Sequence, residues 1–311
     1  MPQSLPEPDA AGAARLARHP WLRLLRLHHW LKNLLLIVPY LTAAGWSRPG
    51  ALARVGLGML AFSLVASASY VLNDLADVAH DREHPAKRHR PLAAGHIGTG
   101  AALAVAALLA VAGLAIALGV ATAFVATLAG YALLTTAYTR RLKRVALLDV
   151  LTLGALWTLR LVAGAAAIHV TLSAWLLSFG AGLFLSLSLV KRCAELAAAG
   201  GDAARRLPGR GYERRDLAAL QAFGIATGVV AVLVLALFVD SSAAQLRYPH
   251  PERLWLACPA LWFWLGRVWL ETARGAMHHD PVVFSLRDPP SWAALAVVAI
   301  AWLAALAPGG V

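Results

Sequence analysis

A chain of 311 residues that is 59% hydrophobic and only 14% charged, with mean hydropathy +0.64, is too apolar for a soluble domain and too long for one or two membrane crossings. Its formal charge of +12 would suit nucleic acid, but sorting the basic residues by loop accounts for most of the excess as the positive-inside pattern of a polytopic membrane protein. Composition therefore predicts an all-α integral membrane protein and gives no reason to expect a nucleic-acid partner.

The opening MPQSLPEPDAAGAARLARHP places Pro and acidic residues ahead of its basic cluster, unlike a secretory signal peptide. Residues 1–20 read as a disordered cytosolic tail and 21–311 as a single transmembrane catalytic domain. A crossing helix needs about 20 apolar residues, and nine stretches qualify: 24–45, 54–73, 101–119, 121–139, 146–168, 172–190, 217–240, 254–273 and 291–308. With the N-terminus in the cytosol, 22 of the 28 Lys/Arg fall on the cytosolic side, four fall outside, and Arg160 and Arg267 lie within spans. That bias predicts a cytosolic N-terminus and an external C-terminus.

In the first span, RLHHWLKNLLLIVP at 26–39 puts Lys32 and Asn33 near the cytosolic end. They are candidates to touch a phosphate, with snorkelling to lipid headgroups as the alternative for Lys32.

The second span runs into NDLADVAHDREHPAKRHRP at 73–91. Charge against a membrane segment is costly and marks function. Asp74, Asp77 and Asp81 are spaced i, i+3, i+7, so on a continuing helix they share one face, with Asn73 beside them. Grouped carboxylates repel unless a cation gathers them, and oxygen ligands select a hard ion such as Mg2+. Mg2+ completes its shell with waters and substrate phosphates, so a pyrophosphate is the natural partner. Arg82, Lys87, Arg88 and Arg90 follow as candidate substrate-binding cations. Pro85 and Pro91 bracket the basic run and stop the helix. A solvated mixed-charge loop is the bland alternative.

The Ala/Leu/Val runs from 101 to 130 are lipid-facing or packing helix without chemistry. After them come Tyr138 and the cluster Arg140, Arg141, Lys143 and Arg144; Tyr138 and Lys143 are candidates for ribose or phosphate contact. Arg160 sits deep in the fifth span, where it must find partners, as a structural tie or a substrate contact. The loop SLVKRCAELAAAGGDAARRLPGRGY after the sixth span holds seven Lys/Arg between 191 and 215. Lys191, Arg192 and Glu195 are the candidates there for a second, basic cradle, with a structural ion pair as the alternative.

Cys193 and Cys258 fall on opposite sides of the expected topology, which excludes a disulfide. Arg267 and Glu271, at i and i+4, most simply pair, and His278, His279 and Asp280 lack a third metal ligand at useful spacing.

The stretch NDLADVAHD resembles the N-D-x-x-D-x-x-x-D motif of the UbiA superfamily of intramembrane prenyltransferases. The resemblance extends over nearly the whole chain. It implies an all-helical bundle with a cytosolic-side cap, and a site in which Asn73, Asp74, Asp77 and Asp81 hold Mg2+ and a diphosphate. Members usually carry a second Asp-rich motif between spans six and seven, where this chain is basic. There, VKRCAEL is similar to the signature of one branch, the polyprenyl-phosphate phosphoribosyltransferases of the decaprenyl-phosphate type. Residues 26–39, 138–167 and 274–288 support the same branch. The resemblance implies phosphoribosyl pyrophosphate and a polyprenyl phosphate as substrates, Mg2+ as cofactor, and a bacterial-type inner membrane with a cytosolic active site. A homo-oligomer is left open. The alternative enzyme moves a prenyl group from a prenyl diphosphate to an aromatic acceptor. A lipid transporter would show an internal repeat and helices broken at midplane, and neither is clear here.

Overall fold

The computed structural model describes residues 19–83, 87–198, 209–277 and 280–307. Most of the expected N-terminal tail, and His278 and His279, lie outside the described residues, where every regular element is helical. The chain divides into two compact units, one of residues 1–139 with 159–171 and the other of 140–158 with 172–311.

The first unit opens with α1 (Pro20–Leu25), which stops at Arg26 in the left-handed region, φ 52° and ψ 47°. A 3-10 helix then runs Leu27–Ile37, followed by α2 (Val38–Thr42). The expected span at 24–45 is therefore broken. A non-glycine residue in that region is strained, and long 3-10 runs are uncommon, so tertiary contacts must hold this segment.

Those contacts are on its inner face. Trp30 Nε1 donates to Ser67 Oγ (2.9 Å), Ser67 Oγ donates to the Leu25 carbonyl (3.0 Å), and Asn33 Nδ2 donates to Ser63 Oγ (2.8 Å). At Gly164 the backbone approaches so closely that a Cβ would lie 2.1 Å from the Leu36 carbonyl oxygen.

Ser63 and Ser67 belong to α3 (Ala51–Ala76), which continues after one residue into α4 (Val78–Glu83). α3 packs along α5 (Thr99–Val120). A Cβ at Gly113 would meet Val65 Cγ2 at 2.8 Å and the Ala61 carbonyl at 3.0 Å. Small residues bring these two backbones together, as expected where lipid removes the hydrophobic drive between helices. Leu24, Val71, Leu92, Ile97, Ala102 and Ala106 form a buried cluster at the end that carries the aspartates. The unit also holds α6 (Thr122–Arg140, save its last residue) and the second half of α7 (Leu148–Ala167).

The second unit is built on α8 (Ala174–Ala198) packed along α9 (Leu217–Val239). Ser186 Oγ donates to the Gly224 carbonyl (2.7 Å) and accepts from Trp269 Nε1 (3.1 Å) of α11 (Ala257–Ala273), after the short α10 (Ser242–Arg247). α12 (Pro281–Arg287) and α13 (Pro289–Leu306) close the chain. Arg267 was expected to pair with Glu271, but its main partner is Asp288, bound through Nε and Nη2 at 2.7 Å each, while Glu271 lies 3.9 Å away. The fork of a guanidinium fits both oxygens of one carboxylate better than a single edge along a helix. Asp288 also caps α13 by accepting from the Ser291 N–H (3.0 Å) and hydroxyl (2.7 Å).

Among the described residues six helices are long and apolar enough to cross a membrane: Ala51–Ala76, Thr99–Val120, Leu148–Ala167, Ala174–Ala198, Arg214–Val239 and Pro289–Leu306. They match six of the nine expected stretches. Of the other three, 24–45 is broken at Arg26. The stretch 121–139 forms α6, made less apolar by its threonines. The stretch 254–273 divides into a 3-10 turn, Pro251–Leu256, and the 17-residue α11.

Candidate active site

The aspartates sit where α3 gives way to α4. Asp77 is the junction: its N–H donates to the Asn73 carbonyl (3.0 Å), and the Asp81 N–H donates to the Asp77 carbonyl (2.8 Å). The helical path is thus nearly continuous, and Asp74 and Asp81, two turns apart, face the same way as their spacing predicts. Both are buried, whereas Asp77 is half-exposed. Arg90 Nη1 touches Asp81 Oδ2 at 2.7 Å and Asp74 Oδ1 at 3.2 Å, and Arg26 Nη2 reaches the same Asp74 oxygen at 2.7 Å. Arg26 lies over the Tyr70 ring, 5.0 Å from its centroid.

The sequence reading missed Arg26. Only its left-handed backbone, which turns the chain sharply between α1 and the 3-10 helix, gives it this position, and no sequence pattern signals it. Arg90, a candidate for phosphate, lies against both carboxylates, because buried anions must be paired. Among the other basic residues, Arg82 is exposed and donates to the Ala93 carbonyl (3.4 Å), and exposed Arg88 contacts His89 (3.3 Å). The Lys87 side chain lies outside the described residues.

Asn33 is buried in an internal tie: its amide nitrogen binds Ser63, and its oxygen accepts from Arg160 Nε at 2.9 Å. Arg160 also reaches the Tyr131 hydroxyl (3.4 Å) and lies over the Phe62 and Tyr131 rings. The structure thus shows the tie that was one of its two readings. Lys32, Tyr138 and Lys143 are half-buried and have partners of their own.

A second ionic cluster lies in the second unit, around Asp149. Arg192 Nε contacts Asp149 Oδ2 at 2.7 Å, Arg210 Nη1 contacts Asp149 Oδ1 at 3.0 Å, and Arg192 Nη1 also binds Glu195. Arg192 and Asp149 are wholly buried, and Tyr212 lies beneath the Arg192 guanidinium. The Tyr212 hydroxyl, pushed up to about 12 by burial and the Asp149 charge, accepts from the Leu147 N–H (2.9 Å).

Arg192 and Glu195 thus form the structural ion pair that was one of the two readings of this segment. A guanidinium this deep requires carboxylates around it. Lys191 is half-buried beside them. Asp149 was overlooked, although a lone acid heading an apolar span was a readable signal.

Comparison with known proteins settles the family. Residues 34–276 match the model of the UbiA prenyltransferase family. This chain belongs to that family. An uncharacterized protein, y4nM of Sinorhizobium fredii, is 38% identical over 93% of this chain, which spans only 57% of that relative's length. The nodulation protein NoeC of Azorhizobium caulinodans is 36% identical over 90% of this chain and 91% of its own length. The decaprenyl-phosphate phosphoribosyltransferase of Mycobacterium tuberculosis is 32% identical over 56% of this chain and 59% of its own. Among solved structures, a UbiA homolog from Archaeoglobus fulgidus bound to GPP and Mg2+ is 17% identical, with a TM-score of 0.59 over 92% of this chain and 97% of that one. The UbiA fold is thus shared with a protein that binds a divalent metal.

Among the described residues no three acidic, histidine or cysteine side chains are gathered as a metal centre, but two carboxylates converge beside an amide oxygen. Asp74 and Asp81 aim at one point, shown by the single Arg90 nitrogen they share, and the Asn73 side-chain oxygen is buried with no hydrogen bond among the described residues. These are hard oxygen ligands of the kind that Mg2+ takes together with phosphate oxygens.

Proposed function

We propose that this UbiA-family protein transfers a 5-phosphoribosyl group from phosphoribosyl pyrophosphate to a polyprenyl phosphate and releases pyrophosphate. The observation that carries this reading is the basic stretch from VKRCAEL, at the end of α8, to residue 215, found where family members usually have a second Asp-rich motif. Similarity to the mycobacterial phosphoribosyltransferase supports it. Phosphoribosyl pyrophosphate carries phosphate at both ends of its ribose, so it calls for a metal-binding group of acids and a separate basic group.

Asp74, Asp77, Asp81 and Asn73 would hold Mg2+, which stabilises negative charge on the departing pyrophosphate. Arg90, Arg88, Lys87 and Arg82 share that charge. Lys191, with other basic residues of 191–215, meets the 5-phosphate, while Arg192 and Arg210 hold this segment in place through Asp149. Lys32, Tyr138 and Lys143 contact phosphate or ribose, and Asn33 sets the position of the segment carrying Lys32. A phosphate oxygen of the lipid attacks the anomeric carbon opposite the pyrophosphate, forming one C–O bond as the other breaks. The attacking oxygen is already anionic and needs no general base. Alignment and electrostatics supply most of the acceleration. The protein crosses a bacterial inner membrane nine times, with its N-terminus and capped site in the cytosol, and the lipid tail stays in the bilayer.

The test is incubation of the purified protein with Mg2+, labelled phosphoribosyl pyrophosphate and a polyprenyl phosphate, followed by extraction into organic solvent. Label in the lipid phase is the expected result. Failure to bind phosphoribosyl pyrophosphate, with prenylation of an aromatic acid from a prenyl diphosphate, would overturn the substrate assignment and leave the family intact.

A further inference from the structure

Arg90 occupies a position that a guanidinium and a metal ion cannot share. Its Nη1 alone touches both Asp81 (2.7 Å) and Asp74 (3.2 Å), and Arg26 completes a group of two carboxylates and two guanidiniums with no net charge. The carboxylate side chains are only 3% and 4% exposed, whereas that of Arg90 is 30% exposed. The anions are fixed on helices; the arginine follows them in a loop and already reaches solvent. Arg192 makes the instructive contrast: it too bridges two carboxylates, Asp149 and Glu195, but is 0% exposed and has nowhere to go.

We propose that Arg90 is an exchangeable counter-ion, which releases Asp74 and Asp81 to a divalent ion only when a diphosphate arrives to take the guanidinium. This rests on the reading of Asp74 and Asp81 as metal ligands for a diphosphate substrate. A divalent ion by itself brings two positive charges to a group that is already neutral, and displaces Arg90 without offering it a new partner. A diphosphate by itself meets two carboxylates. Together they satisfy every charge: the carboxylates hold the ion, and Arg90 forms charge-assisted hydrogen bonds to phosphate oxygens. Metal and diphosphate affinities are therefore coupled, and by linkage each tightens the other by the same factor. The device guards the site against binding free metal unproductively.

The experiment measures Mn2+ binding by electron paramagnetic resonance on the purified full chain in detergent, with and without inorganic pyrophosphate. The wild-type protein should bind Mn2+ weakly, tightening at least about tenfold with pyrophosphate. Arg90→Ala should bind Mn2+ alone at least about fivefold more tightly than wild type and lose most of the pyrophosphate effect. Arg90→Gln, closer in volume, should do the same if the alanine variant does not fold. Mn2+ affinity unchanged or weakened by removal of Arg90, or unaffected by pyrophosphate in the wild type, would overturn the exchange while leaving the metal site standing. Mn2+ binding that persists in Asp74→Asn/Asp81→Asn would instead overturn the metal reading, and the exchange with it.

Discussion

Replacing Arg192 separates a buried tie from a substrate contact. Asp149 and Arg192 are both 0% exposed and 2.7 Å apart, and Glu195 and Arg210 complete their surroundings. Arg192→Met keeps most of the side-chain volume but takes from Asp149, deep in the protein, its buried guanidinium and leaves it Arg210, itself 20% exposed. Removing one partner of a buried pair costs about 3–5 kcal/mol, because the surviving charge has lost its solvation and its counter-ion together. Since Arg210 remains, the lower end of that range, about 3 kcal/mol, is expected. Equilibrium unfolding in mixed micelles, followed by circular dichroism, would measure it. The double variant Asp149→Leu/Arg192→Met should recover most of the loss, since apolar side chains can replace a buried pair with little penalty. Wild-type stability in Arg192→Met, with a selectively raised KM for the phosphate-bearing substrate, would refute this account and return Arg192 to the ligand.

Asp77 is half-exposed and has no ion pair among the described residues, so Asp77→Asn should abolish most turnover while unfolding at the wild-type point, and excess EDTA should mimic it; unchanged turnover would make the motif structural. Gly164→Ala puts a Cβ 2.1 Å from the Leu36 carbonyl and should destabilise by about 2 kcal/mol or more, whereas Gly119→Ala, with open space around it, should be neutral or slightly stabilising in the same unfolding assay. The Arg267 guanidinium and the hydrogen bonds from Ser291 hold the Asp288 carboxyl down at about 2, from 3.8. Its contribution to stability is thus complete above pH 3.8 and is lost as pH falls towards 2. Asp288→Asn should flatten the stability profile across that window, and an unaltered acid limb would contradict the assignment.

Hydropathy and charge sorting were enough to find the membrane class, six of the crossing helices and the acidic motif, because burial in lipid demands long apolar runs that any reading of composition detects. The alignment of Asp74 with Asp81 was legible too, since helical periodicity is a local property. What tertiary structure alone decided is how the charges are shared. Sequence spacing paired Arg267 with Glu271, its neighbour one turn along, but the folded chain brings Asp288 into the fork of the same guanidinium. Packing likewise gives Arg90 the carboxylates of Asp74 and Asp81, and Arg192 that of Asp149, partners that spacing did not single out. Arg26 entered the site through a left-handed residue that ends α1, a conformation its neighbours in sequence do nothing to announce. Electrostatic partners are chosen by distance in space, and a buried charge takes whichever opposite charge the fold delivers.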